Sequence, residues 1–132
     1  MAVTWDRAFE TGHVEIDRQH RELLALVDGL ESAEAESPDT LLRVLEQVMD
    51  FTLTHFLLEE ALMVEVSYPQ LPRERMIEQH REFTSYARLR VLEFRKGELV
   101  SVLPLQTFLA DWLTGHEFGH DRLLADFIRG NS

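Results

Sequence analysis

The chain has 132 residues, of which 45% are apolar, so it has enough hydrophobic side chains for one buried core and too many for a disordered segment. Its 13 basic and 24 acidic residues give a formal net charge of −11, and a surface of this kind repels nucleic acids and anionic membranes. Cysteine is absent, which excludes disulfides and thiolate metal ligands.

The first predicted helix follows an N-terminal arm of about 14 residues that carries Trp5 and Phe9. This helix is expected from about Ile16 to Ala35, because apolar residues recur there every three or four positions and therefore share one face. The polar run Glu31–Asp39 is predicted to form a loop. The apolar face consists of Ile16, Leu23, Leu24, Val27 and Leu30.

Three further helices are predicted between Pro and Gly residues that mark breaks in the chain. The second helix follows Ser37 and Pro38, which have the residue types of an N-cap and a first helical position. The third helix is expected to begin near Pro72 and to end at Gly97, and the fourth is expected at about 104–129. Each helix has an inward-facing seam with steps of three and four residues. The seams are Leu41, Leu45, Val48, Thr52, His55, Glu59, Leu62 and Val66 in the second helix, Met76, His80, Phe83, Ala87 and Phe94 in the third, and Leu105, Leu109, Trp112, His116, Leu123 and Phe127 in the fourth.

Short connections force neighbouring helices to lie antiparallel. The sequence therefore predicts an all-α, up-down-up-down four-helix bundle with an N-terminal arm. We expect residues 1–132 to form this bundle as a single domain, because the sequence contains no internal repeat or long linker.

Histidines and a glutamate interrupt the apolar seams. His20 lies in the first helix, His55 and Glu59 lie one turn apart in the second, and His80 and His116 lie in the third and fourth. A single histidine on an apolar helix face is usually a hydrogen-bonded core residue, but burying all five side chains without partners would destabilise the core by on the order of several kcal/mol. A metal ion resolves this conflict, since it takes the nitrogen lone pairs and neutralises the carboxylate. Nitrogen and oxygen ligands without sulfur suit iron, manganese or zinc.

Four segments of the chain, taken in order, carry a family resemblance. They are W-x3-F-x2-G-x3-ID-x-QH-x2-L from Trp5 to Leu23, His55-Phe56-Leu57-Leu58-Glu59-Glu60 followed by Met63, Tyr68-Pro69 followed by His80 and Phe83, and Trp112-Leu113-Thr114-Gly115-His116 followed by Asp121. Each segment is a weak signal alone, but the four together cover nearly the whole chain. In this combination the sequence resembles the bacterial hemerythrins.

The resemblance implies a non-haem di-iron centre, with carboxylate and oxo or hydroxo bridges, that binds O2 reversibly for storage, delivery or sensing. It also implies a role for each matched residue: His20 and His55 on the iron that receives O2, His80 and His116 on the other iron, and Glu59 and Asp121 bridging the two. The role of Asp121 comes from the resemblance alone. At five residues after His116, Asp121 would lie about 140° around a regular helix, at the edge of the seam.

One position departs from the family pattern. The family has a histidine four residues before the one matched by His80, and this sequence has Met76 there. A thioether is a weak ligand for ferric iron, so Met76 is expected to pack in the core. Water or another side chain would then complete the second iron. His120 is a candidate because it lies one turn after His116, and its competing interpretation is a boundary histidine hydrogen-bonded to a neighbour.

Three functions are consistent with these features. The first is a protein that binds O2 or another small ligand. The second is a di-iron enzyme that turns over peroxide or O2 at an iron position left open by Met76. The third is a bundle with one metal or none that acts as an interaction module. The first is favoured over the second because no obvious acid-base group stands beside the predicted ligands, although His120 could serve as one.

The expected surroundings of the protein follow from two absences in the sequence. No stretch approaches the roughly 20 apolar residues of a membrane-spanning helix. The N-terminus lacks the basic and apolar regions of a signal peptide. We therefore expect a cytoplasmic protein with no membrane partner, and the net charge of −11 predicts no nucleic-acid partner.

Overall fold

The computed structural model describes residues 5–98 and 101–130, apart from the side chain of His116. Its helices are α1 (Val14–Asp28), α2 (Leu30–Glu36), α3 (Pro38–Glu65), α4 (Gln70–Arg95), α5 (Leu103–Trp112) and α6 (Phe118–Gly130), with a 3₁₀ turn at Arg7–Phe9 and a π turn at Leu113–Glu117. The predicted all-α four-helix bundle is confirmed: its four rods are α1 with α2, α3, α4, and α5 with the π turn and α6. None of the described helices is long and apolar enough to cross a membrane.

The residues at two helix ends explain where those helices begin and stop. Pro38 is the first residue of α3, and the Ser37 hydroxyl accepts a hydrogen bond from the Thr40 backbone N–H at 3.0 Å. At the end of α4, Gly97 has a φ of +73°, a left-handed conformation that glycine adopts without steric cost. The N–H groups of Gly97 and the next residue donate back to carbonyls in the last turn of α4. Both helix ends were predicted from the sequence.

Two predictions overlap after Glu31: the helix expected to continue to Ala35 is correct, and the loop Glu31–Asp39 is wrong over most of its length. Helix α2 covers Leu30–Glu36, and a single residue separates it from α3. The polar composition suggested a loop, but Leu30 and Ala33 are buried, and this one apolar side is enough to hold the segment as a helix against the bundle.

Buried apolar side chains form two clusters. Along α3, α4 and the fourth rod, the polar residues of the seams lie between the larger and the smaller cluster. Met76 is 1% exposed and belongs to the smaller cluster, so it packs as a core residue. Met63 is fully buried in this cluster, whereas Leu62 and Val66, predicted as seam residues of the second helix, are only partly buried. The smaller cluster consists of Met63, Tyr68, Met76 and Leu124.

The inward face of the fourth rod shifts by one residue after the π turn. The Phe118 N–H donates to the Leu113 carbonyl, which is the i to i+5 pattern of a π turn and accommodates one extra residue. Leu123, predicted to face inward, is 58% exposed, while Leu124 is fully buried. The seam prediction failed here because it continued a period of 3.6 residues through the π turn.

The N-terminal arm packs against the bundle, as predicted. Trp5 and Phe9 lie 5.8 and 5.3 Å from the ring of Phe118, measured between ring centroids. The buried Asp17 carboxylate accepts hydrogen bonds from the backbone N–H and the hydroxyl of Thr11, both at 2.8 Å. These contacts fix the arm over the first turn of α1.

Candidate metal centre

A layer of buried polar side chains crosses the inside of the bundle. His20 comes from α1, His55 and Glu59 from α3, and Asp121 from α6, and all four are 0% exposed. Glu117, the last residue of the π turn, is 1% exposed. Each of the five offers one ligand atom, and these atoms lie within 4.8 Å of one another. The structure thus brings together four of the residues singled out from the sequence and adds Glu117.

The closest contacts join two imidazoles and one carboxylate. His20 Nε2 lies 3.0 Å from His55 Nε2. Asp121 Oδ2 lies 2.6 Å from His20 Nε2 and 3.2 Å from His55 Nε2. One carboxylate oxygen therefore faces both nitrogens, an arrangement that suits a common cation.

Two further carboxylates connect this side of the cluster to His80, which is 4% exposed. Glu59 contacts His55 Nε2 through Oε1, and its Oε2 lies 3.8 Å from His80 Nε2. Glu117 Oε1 lies 3.5 Å from His55 Nε2 and 3.6 Å from His80 Nε2. The carboxylates therefore lie between two histidine sides, one formed by His20 and His55 and the other containing His80.

Neighbouring side chains orient the imidazole rings. His55 Nδ1 lies 2.7 Å from Gln19 Oε1 and donates to it, which leaves the Nε2 lone pair directed at the cluster. The ring of His20 stacks on Phe118 at 4.2 Å, and the ring of His80 stacks on Phe56 at 3.8 Å. These contacts hold each ring with Nε2 facing the carboxylates.

The crowding of buried charges shifts several pKa values. Burial opposes a charged imidazole at His55, but the nearby carboxylates of Asp121 and Glu117 outweigh it and raise the pKa of His55 to about 9. Burial and the charges of Asp121 and Glu117 hold the pKa of Glu59 well above its usual value. Burial also disfavours the charged form of Glu117, yet contacts with His55, His80 and Glu59 hold its pKa well below its usual value.

Several buried polar atoms of the cluster lack a hydrogen-bond partner, and this shows whether a metal ion would fit there. Among the described residues, buried atoms that make no hydrogen bond include Glu59 Oε2, His80 Nε2, Glu117 Oε1 and Asp121 Oδ1. Leaving such atoms unpaired is costly in a protein interior, and a cation would satisfy them. The donors are imidazole nitrogens and carboxylate oxygens, which suit iron. The residues present therefore fit a non-haem iron centre.

The remaining three histidines lie in different surroundings. His116 is part of the π turn Leu113–Glu117, and its side chain lies outside the described part of the structure. His120 Nε2 accepts a hydrogen bond from the Gln79 amide at 2.9 Å, and its ligand atoms are not part of the cluster. His13 caps α1, because its Nδ1 accepts a hydrogen bond from the Ile16 N–H at 3.2 Å.

Glu117 was not identified from the sequence. In a regular helix it would point away from the seam that contains His116, so the periodicity gave it no inward position. The available signal was its spacing of four residues from Asp121, the same spacing that joins His55 to Glu59.

Comparisons with known proteins agree with this geometry. Residues 11–128 match the family described as the hemerythrin HHE cation binding domain. The chain is 30% identical to a bacteriohemerythrin of Stenotrophomonas maltophilia over 98% of its own length and 83% of the relative, and 28% identical to one of Pseudomonas aeruginosa over 96% and 82%. A crystal structure of a hemerythrin mutant shares the fold, with a TM-score of 0.87 at 24% identity over 97% of this chain and 98% of the other. The chain belongs to the hemerythrins, a family of non-haem di-iron proteins that bind O2.

Proposed function

We propose that the protein binds O2 reversibly, the property that storage, delivery and sensing share. The observation that carries the proposal is a water-excluded cluster of imidazoles and carboxylates whose unpaired atoms face one another. We assign the iron ligands to the six positions matched in the sequence, which are His20, His55, Glu59, His80, His116 and Asp121.

The contacts support a division of these ligands between two irons. His20 and His55 lie on one side of the carboxylates, and they would hold one iron. His80 lies on the other side and would hold the second iron with His116. Glu59 faces both sides with its two oxygens, as a bridging ligand must.

Asp121 is the second proposed bridge. Its Oδ2 contacts His20 and His55, while its buried Oδ1 makes no hydrogen bond to the described residues. That free oxygen is available to the second iron, so one carboxylate could serve both metals.

The surroundings of the cluster favour reversible binding of O2 over its catalytic reduction. When bound, the iron pair supplies the electrons that O2 binding requires. Phe56 and Phe118 cover the rings of His80 and His20, and the cluster residues are at most 4% exposed. Few water molecules and protons reach such a site, and their exclusion favours release of a bound small molecule over its further reduction.

A groove between α3 and α4 offers a route for a small apolar ligand. Its volume is about 510 Å³, and Leu53, Phe56, Ile77 and His80 are among its lining residues. The groove therefore brings an apolar wall to the edge of the cluster, next to His80.

An absorption experiment tests the proposal. Protein loaded with ferrous iron without O2 is exposed to O2 and then returned to anaerobic buffer, over several cycles. We expect a spectral change that appears with O2 and reverses when O2 is removed. Steady consumption of O2 or of added peroxide, or a change that never reverses, would show that the protein is an enzyme or oxidises irreversibly.

Variants connect this response to the cluster. His55→Ala and Glu59→Ala should lose iron and the spectral change together, because each removes a ligand and leaves its partners buried without it. His120→Ala is the matched control, since His120 is a histidine of α6 that bonds to Gln79 outside the cluster. Equal iron content in all three variants would contradict the ligand assignment.

A further inference from the structure

Glu117 is a buried carboxylate for which the six matched positions provide no role. It is 1% exposed, and its Oε1 makes no hydrogen bond to the described residues. The same oxygen lies 3.5 Å from His55 Nε2 and 3.6 Å from His80 Nε2. A carboxylate in this position, beside Glu59 and Asp121, adds like charge to a buried site unless a cation compensates it.

The local helix geometry explains why Glu117 faces inward. The π turn ends at Glu117, and the extra residue that it accommodates places Glu117 one regular turn before Asp121 on the same face. Leu113, one turn earlier, is 1% exposed, so this face is directed at the core before and after the glutamate. The backbone therefore positions the carboxylate, and π turns are frequent at functional sites.

Helix α4 lacks a metal-binding side chain at a position where the family pattern has one. Met76 stands where the family pattern has a histidine, and its side chain packs with Met63, Tyr68 and Leu124. A thioether in an apolar cluster supplies no hard donor to iron. The iron on the His80 side thus lacks one imidazole, and His120 Nε2 is directed at Gln79 and not at the cluster.

We infer that Glu117 is a ligand of the iron on the His80 side and supplies the donor that Met76 does not. This inference rests on the proposed di-iron site and deepens it. The site then has three carboxylate ligands, which are Glu59, Glu117 and Asp121. It has one imidazole ligand fewer than the family pattern. An added anionic oxygen donor stabilises ferric over ferrous iron, so this iron pair should have a lower reduction potential than one with imidazole in that position.

Glu117→Gln tests the inference, because it removes the charge and keeps the shape of the side chain. Iron content should fall from about two to about one per chain, or resistance to a chelator should fall at least about tenfold. The rise of the melting temperature on iron loading should shrink, because the variant has lost a ligand of the second iron. Asp111→Asn is the matched control, an exposed acidic residue of α5, and should change neither quantity.

Two results would overturn the inference. In the first, Glu117→Gln holds as much iron as the wild-type protein, and iron loading raises the melting temperature of both proteins by the same amount. The other is unchanged iron content with a lower melting temperature of the iron-free variant, which would show that Glu117 only supports the fold.

A second substitution tests the exchange of donors. Met76→His restores the family residue, so it should return the second iron to the Glu117→Gln variant. If the double variant stays deficient while Met76→His alone holds two irons, Glu117 does not serve the iron on the His80 side. The role of Glu117 can be tested separately from the proposed function, because these experiments measure iron content and stability and not O2 binding.

A wild-type protein that holds two irons but shows no reversible spectral change with O2 would overturn the proposed function and leave the role of Glu117 standing.

Discussion

At the scale of single residues, the direction of the His55 ring depends on Gln19. Gln19 is 7% exposed, and its Oε1 accepts a hydrogen bond from the His55 Nδ1–H at 2.7 Å. An acceptor at Nδ1 fixes the tautomer in which Nε2 carries the lone pair, and it makes that nitrogen a better donor to a metal. Gln19 is therefore a positioning residue.

Replacing Gln19 with leucine should weaken iron binding and leave the fold intact. Loss of the acceptor frees the tautomer of His55, and changes of this kind lower metal affinity by about 10–100-fold. Competition with a coloured chelator measures the affinity. Gln47→Leu is the control, because Gln47 is an exposed glutamine of α3. Equal affinities in the two variants would show that His55 needs no support from Gln19.

The sequence predicted some residues of the layer and missed others for a physical reason. His20, His55, Glu59 and His80 follow regular helical periods, so counting along the seams places them inside. Residues after the π turn do not follow that period. Asp121 was therefore found only through the family resemblance, and Glu117 was not found.

At the scale of helices, local sequence signals predicted the boundaries well where capping groups set them. The Ser37 hydroxyl caps the start of α3, and the Gly97 N–H caps the end of α4, and such groups can be recognised from residue type. Helix α2 lies mostly within the predicted first helix, but a loop was also predicted there, because a polar composition conceals the packing of Leu30 and Ala33 that holds the segment as a helix.

The cap at the start of α3 provides a stability prediction that does not involve the metal. Ser37→Ala leaves the Thr40 N–H without its acceptor, which should cost about 1 kcal/mol of unfolding free energy. For a chain of this size, that loss lowers the melting temperature by about 3–5 °C. Ser32→Ala, at an exposed position within α2, should lower it far less. Calorimetry that finds equal effects would show that the cap does not stabilise α3.

At the scale of the whole molecule, the polar layer divides the core into two apolar clusters. Phe56, Phe83 and Leu113 lie on one side of it, and Met63, Met76 and Leu124 lie on the other. Side chains from all four rods meet in this layer, so a metal bound there would tie the rods together where hydrophobic packing is interrupted. Metal binding and folding are coupled in such a site, so a metal bound in this layer would stabilise the bundle.

The most direct test of this account is the position of iron in a crystal of the iron-loaded protein, measured by anomalous scattering at the iron absorption edge. We expect two peaks within the polar layer, one beside His20 and His55 and one beside His80. A single peak, or iron bound away from this layer, would contradict it.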